Sequence, residues 1–189
     1  MSLSGRLVNS SGSPSSGFWV RVYPPDSLAG FAKRAAGFIP PSKADSVMTD
    51  AEGRFYFTNL EKGTYNLSAN GPQGNALLAI FLRDLVITGN TYRGTDTVRI
   101  TGSILLQVQM AGDQAAVGAL CQISGTPWKA YANSQGVCVM TGLPPGNFEV
   151  IVTHPEYPEA ASISTVVVSG SQSNGGTIHL GNITDHGPS

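Results

Sequence analysis

Three histidines, two cysteines and a few neighbouring carboxylates are the side chains of this sequence best suited to chemistry, and their spacing limits what they can do. His154 sits in a Pro-rich stretch, His179 in an alternating strand pattern and His186 near the last residue, so nothing brings them to one metal. Cys121 and Cys138 match no structural zinc spacing. Glu156 and Glu159 lie in HPEYPE, a loop stiffened by Pro155 and Pro158. General acid–base work needs a buried carboxylate, and nothing in that stretch implies burial. Asp50 and Glu52 in TDAEG are too few for a calcium loop, and a turn explains both. Nucleophile-elbow, zincin, phosphate-loop and dinucleotide motifs do not occur. The expectation is a non-enzyme with no cofactor and no metal.

Composition narrows the class further. The chain has 189 residues, 41% of them hydrophobic and only 12% charged, with a net charge of −1. Apolar content of that size argues against disorder, and the charge excludes a strongly basic nucleic-acid binder. No apolar run approaches the roughly 18–20 residues of a membrane span, and no cleavable apolar region follows Met1, as expected of a mature or trimmed segment. Two cysteines exclude a disulfide-rich scaffold. Residues 1–100 hold ten of the eleven Lys/Arg and seven of the twelve Asp/Glu, a balance of +3, whereas 101–189 hold one and five, a balance of −4. Opposite signs on two halves favour head-to-tail contact.

The elements around these residues repeat. TDAEGRFYFTNLEKGTYNLSA at 49–69 matches ANSQGVCVMTGLPPGNFEVIV at 132–152 without a gap, offset by 83. Gly53, Thr58, Leu60 and Gly63 meet Gly136, Thr141, Leu143 and Gly146. Each piece reads as a hairpin: a four-residue turn, an alternating strand with Phe55 and Phe57 inward, a second turn, then Tyr65, Leu67 and Ala69. In the second copy Cys138, Met140, Phe148, Val150 and Val152 take the inward places. Ser4-Gly5-Arg6-Leu7-Val8 also resembles Thr101-Gly102-Ser103-Ile104-Leu105, here at an offset of 97, which leaves fourteen extra residues in the first unit. Strands are expected near 4–9, 17–23, 46–50, 54–58, 64–70, 79–88 and 96–100, and again near 102–110, 117–124, 128–132, 137–141, 147–154, 161–169 and 176–180. Short strands at this spacing, between Gly, Pro and Asn turns, predict all-β antiparallel sandwiches with a tight junction near residue 100.

The 49–69 string resembles the carboxypeptidase regulatory-like domain, with its Thr-Asp-x-x-Gly-x-Phe turn and Leu-x-x-Gly-x-Tyr continuation. The second copy is similar but departs at Asn133 and Val137. The resemblance implies two tandem seven-stranded Greek-key, transthyretin-like (prealbumin-like) sandwiches, 1–100 and 101–182, with a tail at 183–189. It also implies a non-catalytic module of exported bacterial proteins. Among transthyretin-like enzymes, the hydroxyisourate hydrolases end in Tyr-Arg-Gly-Ser and use an early His. Here Tyr92-Arg93-Gly94-Thr95 is internal and no His precedes 154, which makes a hydrolase a distant third reading. Intradiol dioxygenases need two Tyr and two His around iron, which this spacing does not supply.

Between Pro24 and about residue 45 lies an insertion, PPDSLAGFAKRAAGFIPPSKADS, with Leu28, Phe31, Ala35 and Phe38 on one helical face. A short helix near 27–36 is expected, docked on the sandwich because about ten residues are marginal alone. If Val20 and Val22 point inward, Trp19, Arg21 and Tyr23 form an outward stripe. The insertion either folds over that stripe or leaves it as a platform for a surface glycan or a partner chain. Trp128 and Tyr131, flanking Lys129, pose the same choice in the second unit. Cys121 and Cys138 both fall on core-facing positions; they form a disulfide if their strands face one another in an oxidising compartment, or remain two buried thiols.

The reading is therefore an extracellular or cell-surface β-sandwich module acting as spacer, adhesion or docking unit. Its partners would be other domains of a larger exported protein, neighbouring copies or a glycan. The alternative is a self-assembling subunit of an extracellular fibre or surface layer, suggested by the charge asymmetry and by open sandwich edges.

Overall fold

The alternation of large apolar and small polar residues becomes an all-β molecule in the computed structural model, which describes residues 1–25, 45–123, 125–126 and 128–181. Before residue 101 the described strands are β1 (Leu3–Val8), β2 (Trp19–Tyr23), β3 (Asp45–Met48), β4 (Arg54–Phe57), β5 (Gly63–Gln73), β6 (Ala76–Ile87), β7 (Thr91–Thr97) and β8 (Arg99–Ile100). They form two sheets, ordered β4-β1-β7 and β3-β2-β5-β6-β8. After it come β9 (Gly102–Met110), β10 (Gln114–Ala115), β11 (Leu120–Ile123), β12 (Lys129–Tyr131), β13 (Val137–Leu143), β14 (Gly146–His154), β15 (Tyr157–Val167) and β16 (Gln172–His179). Here β9 pairs with β13, β10 and β16, and the facing sheet runs β12-β11-β14-β15. The expected helix at 27–36, with Leu28 and Phe31, lies outside the described residues.

Each pair of sheets encloses its own core. Leu3, Val20, Phe55, Phe57 and Leu67 are buried in the first, and Ile104, Cys121, Met140, Val150 and Val152 in the second. The burial of β4 alternates strictly, with Phe55 and Phe57 in and Arg54 and Tyr56 out, as the period-2 pattern requires. The hairpin reading of 49–69 is corrected, however. β4 pairs with β1 whereas β5 pairs with β2 and β6, so both turns carry the chain from one sheet to the other. Phe55 and Tyr65 therefore belong to facing sheets of one core rather than to neighbouring strands. Alternation reports which face is buried; it is silent about which strand lies alongside.

Most of the pairings of the first half recur in the second with the same directions, β8 and β10 being without counterparts. β1 runs antiparallel to β4 and parallel to β7, just as β9 does to β13 and β16. The registers also correct the opening alignment. Leu3 faces Phe57 and Ile104 faces Met140, so the first strands match at an offset of 101 (104 less 3), not 97. Val20 facing Ala69 and Cys121 facing Val152 keep that 101, while the later partners keep 83 (152 less 69). The first half thus carries eighteen extra residues, not fourteen, between β2 and β3. Gly5 misled because a glycine before a strand looks like its counterpart Gly102, yet Gly5 meets Phe55 and its structural equivalent is Leu106, which meets Cys138.

The turn before β4 shows why the repeat tolerates Asn133. Asp50 Oδ1 accepts the N–H groups of Glu52 and Arg54 at 3.0 and 2.8 Å. Asn133 Oδ1 accepts those of Gln135 and Val137 at 2.9 and 3.0 Å. One side-chain oxygen at that position is what the turn needs, and either residue supplies it. Gly53 and Gly136 both have φ of 76°, and a Cβ there would strike the carbonyl oxygen of Leu7 or Val108. Only glycine fits.

Between the halves there is no free linker. β8 ends the second sheet of the first half at Ile100, and β9 begins at Gly102. Thr101 N–H donates to Leu77 O, Gly170 N–H donates to Thr101 O, and Ser169 Oγ donates to Ile100 O.

Candidate binding surfaces

The stripe expected on β2 is present: Trp19 (46% exposed) and Arg21 point outward, Tyr23 is half-buried, and Val20 and Val22 are in the core. Trp19 lies between Met48 on β3 and Asn70 on β5. Tyr23 and Asp45 bound the segment expected to cover this stripe, and its residues 26–44 are outside the described ones.

Trp128 and Tyr131 do not share a platform. Alternation sends Tyr131 (64% exposed) and Lys129 outward, whereas Trp128 and Ala130 turn toward the second core. The Trp128 ring meets Phe81 of β6 edge-on, with centroids 5.8 Å apart, and Phe148 of β14 at 6.4 Å. Phe81 thus comes from the first half and packs against the core of the second. Beside it, Asn66 of β5 is buried. Its Nδ2 donates to Gly125 O of the second half at 2.8 Å, and its Oδ1 accepts Asp84 N–H at 3.0 Å. Asp84 has φ of 55°, and the β5–β6 register shifts opposite this point, so one amide both fixes a bulge and ties the halves together.

Arg83, two residues beyond Phe81, places its guanidinium carbon over the rings, 4.9 Å from the Phe81 centroid and 5.8 Å from that of Phe148. A cleft of about 390 Å³ opens here, lined by Phe81, Leu82, Arg83 and Leu85 of β6, Arg93 of β7, and Pro145 to Phe148.

Another surface was not singled out from the sequence. Tyr56 and Tyr92 both lie opposite Ser4, on either side of β1, and are 60% and 71% exposed. At ordinary strand spacing they stand about 10 Å apart with a small serine between them. Arg54 lies beside Arg6 on the same face, and Arg6 Nε donates to Glu52 O at 2.9 Å. Ser4, Arg54, Tyr56 and Tyr92 border a groove of about 470 Å³ that reaches Met48 and Asp50. Alternation along β4 exposes Tyr56, but the parallel pairing of β1 with β7 brings Tyr92 to it, and no local pattern encodes that pairing. The Tyr-Arg-Gly-Thr string makes a bulge: two residues, Arg93 and Gly94, oppose Gly5, and Arg93 bonds Asp96 at 3.2 Å.

Cys121 on β11 and Cys138 on β13 come from facing sheets and are both fully buried free thiols in hydrogen-bond contact. The bond to Cys138, together with burial, pushes the Cys121 thiol far above its ordinary range; the same bond draws Cys138 down, against burial. His154 has a structural environment: Nδ1 accepts Glu156 N–H at 3.1 Å and Nε2 lies 3.0 Å from Val117 O. His179 is 3.9 Å from Asp113, Glu156 and Glu159 are exposed, and His186 is outside the described residues. Among the described residues no three His, Cys, Asp or Glu gather as a metal site, and no helix is long and apolar enough to cross a membrane.

No protein-family model matches the chain, and no curated protein does. Solved structures with some likeness include the minor pilin GBS52 of Streptococcus agalactiae, 15% identical over 100% of this chain and 99% of that one, with a TM-score of 0.44. The shaft pilin SpaA of Lactobacillus rhamnosus GG is 11% identical over 97% and 98%, at 0.35. The TIE protein of Bacillus anthracis is 13% identical over 95% of this chain and 33% of its own, at 0.40. At this overlap, the fold rests on the strand pairings themselves.

Proposed function

We propose that this chain is a non-catalytic, rigid β-sandwich module of an extracellular or cell-surface protein, built from two carboxypeptidase regulatory-like, prealbumin-like units at 1–100 and 101–182. It acts as a spacer that presents docking surfaces to other proteins. The observation that carries this reading is the junction. Phe81 packs against the second core, Asn66 bonds Gly125, and β8 runs into β9 through one residue. Interfaces between tandem domains are by default loose, and a connection of this kind removes the hinge. A spacer needs that stiffness, whereas a flexible string of domains does not.

The docking surfaces on this reading are the Trp19, Arg21 and Tyr23 stripe, the Tyr131 surface and the face carrying Tyr56 and Tyr92. Tyr, Trp and Arg are the side chains over-represented where partners bind. Cys121 and Cys138 either close an internal bridge on export to an oxidising compartment or remain two buried thiols.

Small-angle scattering of the purified chain tests the rigidity. A profile fitted by one rigid conformation supports the reading, and one that needs an ensemble of conformations overturns it. A second reading, assembly into fibres, is favoured by the +3 and −4 halves. Electron microscopy and light scattering address it, and a uniformly monomeric species at high concentration counts against it.

A further inference from the structure

We infer that the free edge of β15 is a self-association surface, to which a second copy of this chain adds its own β15, antiparallel about a two-fold axis at Ser164. A strand at the rim of a sheet leaves backbone N–H and C=O groups open to another chain, and proteins blunt such rims by shortness, charge or bulges. The described edges are blunted in these ways, with one exception. β3 and β4 have four residues each and carry Asp45 and Arg54, β12 has three and carries Lys129, and β8 and β10 have two. The pairings of β7, β13 and β16 are each broken by a register shift. β6 is covered by β8 at Leu78 and Ala79, and beyond them it carries Arg83 and the bulge at Asp84. β15 has none of these defences. Among the described residues it bonds β14 alone, in an unbroken register from Ala161 opposite Val152 to Val167 opposite Gly146. From Ala160 to Val168 there is neither a charge nor a proline, and Ile163, Thr165 and the valines at 166–168 all favour strand. Ala161 opposes Val152 as Ile80 opposes Ala69, so β15 is the counterpart of β6. The same edge is guarded in the first half and open in the second.

The side chains of the strand select its occupant. Strand addition draws affinity from backbone bonds and selectivity from pockets for alternate side chains. Ser162 and Ser164, on the exposed face of β15, are too small to shape pockets for a foreign sequence. A second β15 fits without conflict. Pairing centred on Ser164 sets that residue against its own copy, Ser162 against Val166 and Ile163 against Thr165, and it uses the whole unbroken run. Glu159 then falls opposite Ser169, so its carboxylate meets no like charge. Ala161 and Ile163 are only partly buried against the second core, and the added strand extends the cover over them. Such a contact is isologous and closes at two copies, joining two four-stranded sheets into one. An edge of this length is a small interface, so the dimer is weak and concentration-dependent. It rests on neither the spacer role nor fibre assembly, and each can fail without the others.

Sedimentation equilibrium of the full chain, from micromolar to millimolar concentration, is the test. The wild type should pass from monomer to dimer, with amide exchange at residues 161–167 slowing as concentration rises. Ser164→Lys and Ser164→Glu each set like charges against one another at the axis, so each alone should weaken the dimer about tenfold or more. An equimolar mixture of the two should restore it, because only at the axis does a residue meet its own copy. A monomer at millimolar concentration, a dimer untouched by Ser164→Lys, a mixture that stays monomeric, or filaments with unchanged β15 exchange would each overturn the inference. So would a monomeric chain whose β15 is protected by an added capped peptide of alternating serine and valine, which would assign the edge to foreign strands. Ser164 is exposed, so neither charge should alter the fold, and urea unfolding of both variants checks this. If either variant fails to fold, exchange at 161–167 of the wild type against concentration decides, and unchanged rates reject the dimer.

Discussion

Replacing Phe81 by alanine isolates the junction from both cores. Phe81 belongs to β6 of the first half, yet it packs against the core of the second, edge-on to Trp128 at 5.8 Å and tilted on Phe148 at 6.1 Å. A fully buried Phe→Ala change costs about 3–5 kcal/mol, and a half-buried ring should cost less through burial, about 2 kcal/mol. Two aromatic contacts at about 0.5–1.5 kcal/mol each bring the expected total to about 3 kcal/mol. The loss should fall on the second half, because the first core does not use this ring. Each 1.4 kcal/mol is tenfold in an equilibrium constant, so hydrogen-exchange protection of β11 and β14 should drop about a hundredfold while that of β2 and β5 stays near wild type. Trp128 offers a second readout: its emission should shift to the red as its partner is removed, whereas Trp19, already exposed, should not respond. Phe81→Leu should recover most of the loss. A uniform loss across both halves, or a cost below about 0.5 kcal/mol with unchanged emission, would refute the assignment of Phe81 to the second core.

Asn66→Ala removes the bond to Gly125 and strands the Asp84 N–H, and should cost about 1–3 kcal/mol in urea unfolding; a neutral result would mean that the buried amide ties nothing. Gly53→Ala and Gly136→Ala should each destabilise by well over the about 1 kcal/mol on which point mutants centre, since strain at positive φ and a carbonyl clash add. Phe57→Ala, at a fully buried site, should cost about 3–5 kcal/mol by thermal or urea unfolding. The paired replacement of Tyr56 and Tyr92 by serine should leave the midpoint within about 0.5 kcal/mol while reducing retention of a docking partner in pull-down, and a large stability loss would show that the two rings are structural. In the native chain at pH 8 neither Cys121 nor Cys138 should react with a thiol probe, since burial keeps both from solvent. In denaturant without reductant, two reactive thiols would reject a bridge and none would establish it.

The placement of strands was largely legible because it depends on local order. Phe55 and Phe57 alternate with Arg54 and Tyr56 whatever the rest of the chain does, and Asp50 with Gly53 makes its turn within four residues. The repeat carried the same information twice, which is why a departure such as Asn133 could be tolerated without losing the pattern. Partners were another matter. β4 was placed beside β5 although it lies beside β1, and Gly5 was matched to Gly102 although it matches Leu106. Neither the sheet that a strand joins nor its register is encoded in the strand's own alternation.

The same division separates the surfaces. From the sequence alone came the all-β class, the core faces and the outward direction of Trp19 and Arg21, each a consequence of period-2 geometry acting within a few residues. Only the tertiary structure decided that Trp128 turns into the junction, that Phe81 and Asn66 serve both halves, that Tyr92 comes to lie two strands from Tyr56, and that Arg83 lies over Phe81 and Phe148. Those are contacts between residues tens of positions apart, set by how two sheets close and how one sandwich abuts the next. Burial and hydrogen bonding depend on position in space, and a chain's local pattern fixes only which side of itself it hides.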